Sequence, residues 1–219
     1  LSMAHSRSST AIADNVLSAA ARLGLEGEYE RERFENDDPR EYDPAKVGDF
    51  LTALVNAERI FKQHRAALSG EMGPVQLWPH GFDLAFEWFS TRMLGYEEQG
   101  VRKEQPAQLN LGFFPGGPEV DPYFYSNPWP FEADVLLGEA LPEGVSWHTE
   151  GWQGTILPYE TLADDPDAEE RLLAYAKRVF ELSSPTLVAG WEAPLGEARR
   201  FSRRSDRWRR AIEMEVELK

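Results

Sequence analysis

Two of the four histidines stand within three residues of both a tryptophan and a carboxylate, in Trp78-Pro79-His80-Gly81-Phe82-Asp83 and in Trp147-His148-Thr149-Glu150-Gly151-Trp152. On an extended strand His148 and Glu150 share a face at i and i+2, a spacing that lets an imidazole and a carboxylate reach one cation. If the turn at His80 folds beside that strand, His80, Asp83, His148 and Glu150 form a set of two imidazoles and two carboxylates suited to a divalent metal such as zinc, manganese or iron. Metal-free chemistry at the same place would use Asp83 and Glu150, with Glu87 as a third candidate, as general acid and base. An aromatic wall would raise a carboxyl pKa there by desolvation.

The aromatic residues around these groups are dense. Five of the seven tryptophans fall between Trp78 and Trp152, and the run Tyr123-Phe124-Tyr125-Ser126-Asn127-Pro128-Trp129-Pro130-Phe131 lies between the two histidine motifs. Indole and phenol rings offer apolar area with a polar tip, so Trp78, His80, Tyr123, Tyr125, Trp129 and Trp152 are the candidate lining of a small-molecule pocket. Sugars stack on such rings while their hydroxyls bond carboxylates, and a cation would find in Tyr123, Tyr125, Trp129 and Trp152 the ingredients of an aromatic cage. The same residue types also fill cores and interfaces. Trp88 continues the apolar alternation of Phe82, Leu84 and Phe86 and reads as core; Trp129, between two prolines that disfavour a regular ladder, reads as exposed to a pocket or partner.

Several chemistries are poorly served. The chain has no cysteine, which removes disulfides, thiolate metal sites and a cysteine nucleophile, and fits a cytoplasmic setting. Phe114-Pro115-Gly116-Gly117-Pro118 lacks the lysine and spacing of a phosphate loop, and no serine has the Gly-x-Ser-x-Gly setting of a nucleophile elbow. A net charge of −15 opposes nucleic-acid binding. No apolar run approaches the roughly 20 residues of a membrane span. The stretch from Ala11 to Leu25 is broken by Asp14, Asn15 and Arg22 and does not read as a signal peptide. The start at Leu1 rather than Met suggests a piece of a longer protein. Charge is also uneven: Glu26 to Asp43 is strongly acidic, whereas Arg199, Arg200, Arg203, Arg204, Arg207, Arg209 and Arg210 crowd the C-terminal stretch. The two can pair with each other, within a chain or between subunits of a homo-oligomer, or dock another partner.

The elements that must position these groups follow from periodicity. A helix capped by Ser9 or Thr10 carries Ile12, Val16, Leu17, Ala20 and Leu23 and ends at Gly24. The acidic stretch 26–43 is an exposed connection. Asp43-Pro44 starts a second helix to about Leu68, with Val47, Phe50, Leu54, Ala57, Phe61, His64 and Leu68 on one stripe; it predicts a helix lying across a sheet, with His64 packed rather than ligating. From Pro74 to Pro158 short alternating stretches bounded by Pro and Gly read as antiparallel strands: Phe82 to Trp88, Leu109 to Phe113, Tyr123 to Ser126, Val145 to Thr149 and Gln153 to Leu157. Asp165-Pro166 begins a last helix with Leu172, Leu173, Ala176, Val179 and Phe180 that stops near Ser184-Pro185. Ile212 to Leu218 alternates with period two and suits an edge strand. These elements predict an α+β fold, a mostly antiparallel sheet of about five strands with helices packed on one face. Residues 1–191 form a single domain and 192–219 an arginine-rich appendage.

Gly73-Pro74-Val75-Gln76-Leu77-Trp78-Pro79-His80-Gly81-Phe82-Asp83-Leu84-Ala85, then Leu111-Gly112-Phe113-Phe114-Pro115-Gly116-Gly117, Pro122-Tyr123-Phe124-Tyr125-Ser126 and Leu157-Pro158-Tyr159, resemble the bacterial "domain of unknown function 5996" family. The resemblance spans roughly residues 23–191. It implies longer members with an additional strand-rich N-terminal portion, and it brings no reaction and no catalytic residue. The expectation is therefore a small-molecule binder with an aromatic-lined pocket. Metal-assisted or carboxylate-based hydrolysis, or a protein-interaction role for the same rings, are the alternatives, and whether the chain is an enzyme stays open.

Overall fold

The computed structural model describes residues 8–25, 27–38 and 43–192. Helix α1 (Ser9–Arg22) is capped one residue earlier than its sequence suggests: Ser8 Oγ accepts from the Ala11 amide at 3.2 Å. Gly24, at φ +73°, takes the left-handed position after the helix. A 3₁₀ turn (Arg31–Phe34) folds back onto α1, tied by Arg31 Nε to Asp14 Oδ1 at 2.9 Å. The acidic stretch is thus not a bare connection over its described part. The predicted pairing of the C-terminal arginines and the predicted strand Ile212 to Leu218 lie outside the described residues.

Helix α2 (Pro44–Ala67) begins as its sequence predicts, with Asp43 Oδ1 accepting from the Ala45 and Lys46 amides at 3.0 and 3.3 Å. Its stripe holds only in part. Ala57, Ile60, Phe61 and His64 are buried, whereas Val47 is 40 % exposed. At 1.5 Å per residue the helix runs about 36 Å, and only its C-terminal half lies against the sheet.

The sheet has eight strands rather than five: β1 (Glu71–Met72), β2 (Gln76–Leu77), β3 (Leu84–Glu98), β4 (Val101–Phe114), β5 (Tyr123–Ser126), β6 (Pro128–Trp129), β7 (Ser146–His148) and β8 (Gly154–Pro158), all paired antiparallel. The main order is β1-β3-β4-β5-β8-β7, with β2 beside β3 and β6 beside β4. The surplus arises because β1, β2 and β6 are two residues long, too short for alternation to register. Strands β3 and β4 extend into a hairpin closed by Gln99 and Gly100, both at positive φ, the pair that a two-residue hairpin turn of matching twist requires.

Period-two alternation divides the sheet. Leu84, Phe86, Leu111, Phe113, Phe124 and Leu157 point to one face, where they are covered by α2 and by α5 (Ala168–Ser183) with its buried Leu172, Tyr175, Ala176 and Val179. Each such fully buried side chain contributes about 1.5–3 kcal/mol of transfer free energy. Short helices α3 (Ala133–Leu136) and α4 (Glu160–Ala163) add Leu136 and Leu162 to the buried set. Phe82 departs from the expected alternation: it precedes β3 at φ +55° and is 58 % exposed. The turn Trp78 to Asp83, closed by the Trp78 amide on the Asp83 carbonyl at 2.8 Å, has taken it out of the strand.

Candidate functional site

The residues between those apolar positions share the uncovered face. Register pairs Glu87 with Asn110 across β3 and β4, Gly112 with Tyr125 across β4 and β5, and Phe114 with Tyr123, so all six lie on the side away from α2 and α5. Over this face the 78–83 turn and the β7–β8 connection bring further groups. The result is a cavity of about 320 Å³ lined by His80, Gly81, Asp83, Asn110, Phe114, Tyr123, Tyr125, Asn127 and Trp152.

Two glycines clear the space. A Cβ at Gly112 would collide with Cζ of Tyr125, so only glycine lets that ring lie across β4. A Cβ at Gly154 would stand 2.8 Å from both Cζ3 of Trp152 and Cβ of Asn127, and would also strike the Ser126 carbonyl. The rings then form a definite arrangement. Tyr123 and Trp152 are nearly parallel, 16° apart with centroids separated by 6.4 Å; Tyr125 stands at 66° to the first and 71° to the second, 6.1 Å from each. His148 packs against Trp152 at 4.4 Å between ring centroids and so braces that wall from the strand β7. Asn110 organises the polar side: its side-chain oxygen accepts from the Asn127 amide at 2.8 Å, and its carbonyl accepts from the Ser126 hydroxyl.

The charge in the cleft is negative. The Tyr125 hydroxyl donates to Asp83 Oδ2, while Asp83 Oδ1 is buried behind Gly81 without a hydrogen-bond partner. Among the described residues no lysine or arginine pairs with Asp83 or Glu87, and none lines the cavity. The tyrosines register this field. Burial pushes the Tyr125 phenol up, helped by its hydrogen bond to Asp83 and by the charges of Asp83 and Glu87; Tyr123 moves up through burial and then Asp83. Glu87 is raised above the usual carboxylate range by burial, with Asp83 adding to the effect and a hydrogen bond to its own backbone opposing it.

The candidate residues read from sequence are distributed unevenly around this cleft. His80, Asp83, Tyr123, Tyr125 and Trp152 line it. Trp78 stands at its edge, half-buried, its ring 6.4 Å from His80. Trp129 pairs with Gln108 on β4, beyond the lining. Glu150 is exposed in the turn after β7, which ends at His148, so the two do not share a strand face as expected. Trp147 points away from His148, its indole N–H donating to the Glu139 carbonyl at 3.2 Å. Among the described residues no three His, Asp or Glu side chains are grouped so as to hold a metal ion; the set His80, Asp83, His148 and Glu150 is not assembled. Asn110, Asn127, Phe114, Gly112 and Gly154 escaped the sequence reading, although glycine inside an alternating strand is the signal that marks Gly112.

A larger cavity, about 520 Å³, lies between α1 and the 3₁₀ turn and is lined by Ile12, Val16, Leu17, Tyr29 and Phe34. Its one arginine, Arg31, bonds Asp14 through Nε while its Nη1 is buried without a hydrogen-bond partner, and it holds no unpaired buried carboxylate oxygen. A mostly apolar lining in which a single unpaired donor stands without the set of convergent polar groups seen beside Asp83 makes it the weaker candidate for small-molecule recognition. Among the described residues no helix is long and apolar enough to cross a membrane.

A family model described as "Family of unknown function (DUF5996)" matches residues 13–197. No curated protein and no solved structure matches the chain.

Proposed function

The chain belongs to this family of unknown function, and we propose that it binds a small molecule in the cleft on the uncovered face of its sheet. One observation carries the reading: Gly112 and Gly154 hold Tyr125 and Trp152 open around a cavity beside a carboxylate that, among the described residues, no lysine or arginine neutralises. Leaving aromatic faces against water costs free energy, a cost that falls when a ligand covers them, and a buried carboxylate oxygen without a partner keeps a local field that a ligand's charge can answer through space. Asn110 and Asn127 offer polar contacts at the cleft for orienting it. Binding leads over hydrolysis because, of the three candidate carboxylates, Asp83 alone lines the cleft: Glu150 stands outside it, and Glu87, although on the same face of the sheet, is not part of the lining.

The test is a fragment screen read on isotope-labelled protein by NMR. Shifts that saturate and cluster on Asn110, Tyr123, Tyr125, Asn127 and Trp152, and that vanish in Trp152→Ala with the rest of the spectrum intact, support the cleft. Fragments that bind only between α1 and the 3₁₀ turn, or bind nowhere near the cleft, overturn it.

A further inference from the structure

We propose that the group the cleft recognises is a quaternary ammonium, carried by a small organic cation; the inference rests on the reading that the cleft is a ligand site. The three rings supply the geometry. Tyr123 and Trp152, 16° from parallel, both stand beside the cavity, and Tyr125, lying over Gly112 and steeply inclined to both, is its floor. With centroids 6.1, 6.1 and 6.4 Å apart, a cation seated over the middle of this triangle is within the roughly 6 Å of all three ring centres over which the negative π-face attracts positive charge.

Charge points the same way. The floor hydroxyl is bonded to the Asp83 carboxylate, Glu87 shares that face of the sheet, and among the described residues no lysine or arginine lines the cleft. An anionic ligand would meet uncompensated like charge. A neutral sugar would leave the negative potential unanswered. The overall charge of −15 adds long-range attraction for a cation.

The state of Asp83 selects among cations. Its Oδ2 is taken by Tyr125, and its Oδ1 is buried without access to solvent. A primary ammonium is held best by a direct charged hydrogen bond, and Asp83, with one oxygen buried and the other already accepting from Tyr125, is a poorer partner for one than an open carboxylate would be. A quaternary ammonium has no N–H to satisfy. Its methyl groups pack on the ring faces while the carboxylate behind the floor acts through space.

The probes are choline, its uncharged carbon isostere 3,3-dimethylbutan-1-ol, the primary amine ethanolamine and glucose, each titrated by NMR into the labelled full chain. The expected result is saturable shifts on Tyr123, Tyr125 and Trp152 with choline, at least about tenfold tighter than with the isostere. Trp152→Ala and Asp83→Asn, both checked for an intact spectrum, each weaken choline about tenfold or more, and Trp152→Phe retains part of the affinity. Equal binding of choline and the isostere overturns the cation while leaving a pocket. Tighter ethanolamine overturns the quaternary preference, and glucose bound in place of choline overturns the charge argument. If neither these probes nor neutral fragments shift the cleft, both the inference and the reading beneath it fall.

Discussion

The two faces of one sheet treat the same residue types in opposite ways. On the covered face Phe124 stacks into a cluster with Phe61, Phe113 and Tyr159, and the phenol of the fully buried Tyr175 is matched to Thr155 Oγ1 at 2.9 Å. On the other face its strand neighbours Tyr123 and Tyr125 stand around a cavity, and an Asp83 oxygen is left without a partner. Rings on adjacent residues of one strand thus hold the core together on one side and stay available on the other. The difference teaches that aromatic density is not the mark of a site; what marks this one is a carboxylate oxygen left unpaired beside rings that leave a cavity open.

The sharpest way to break this comparison is to truncate one residue on each side. Phe61, fully buried beneath Phe86 and Phe124, should lose about 3–5 kcal/mol of stability as Phe61→Ala, whereas Tyr123→Ala should lose about 1 kcal/mol or less and keep the fold. Urea denaturation of both variants reads the contrast. Equal losses would mean that the cleft rings belong to the core.

Acid separates the faces next. His64 is buried against Phe86 and Phe180, and burial lowers its pKa to about 4. The unfolded chain takes up its proton near pH 6.5, so the neutral folded form is at full advantage above that pH and loses it as the pH falls from 6.5 toward 4. The loss amounts to about 3 kcal/mol. In His64→Leu the difference in stability between pH 7 and pH 4 should shrink by about that amount, measured by denaturation at the two pH values. An unchanged acid dependence would show that His64 is protonated in the fold.

Smaller in energy but more telling is Gly112→Ala. The added methyl has no space beside the Tyr125 ring, and displacing that ring should cost about 1–3 kcal/mol while closing the cleft to ligand. Adding Tyr125→Ala should restore the stability and not the binding. A single variant as stable as the wild type would show that Tyr125 has room to move, and the floor of the cleft would lose its definition.

Much of the covered face was legible because alternation and helical stripes record burial directly. Leu109, Leu111 and Phe113, the Asp43-Pro44 start and the α5 stripe all stand where periodicity put them. The cleft was legible only by residue type. His80, Asp83, Tyr123, Tyr125 and Trp152 were recognisable as candidates, but their convergence depends on the non-local β5–β8 pairing and on a turn whose positive φ at the non-glycine Phe82 gives no sequence signal. Asn110 and Asn127 carried no signal, since an asparagine bonded to a strand amide looks in sequence like any turn residue. The tetrad His80, Asp83, His148 and Glu150 looked plausible because i and i+2 share a face on a strand; β7 stops at His148, and the turn carries Glu150 away.

Trp129 supplies the smallest effect and the cleanest control. Flanked by prolines and next to the Tyr123 strand, it has every sequence mark of a pocket residue, yet its partner across the ladder is Gln108, one same-face step beyond the cleft residue Asn110. Trp129→Ala should therefore leave choline affinity within about twofold of the wild type, a change of less than about 0.5 kcal/mol. Trp152→Ala, an identical change of residue type on the cleft wall, should weaken it about tenfold or more. NMR titration of the two variants side by side decides whether position on the face or mere membership of the aromatic belt governs recognition. Equal loss in both would extend the site along β4 and merge the cleft with the rest of the belt.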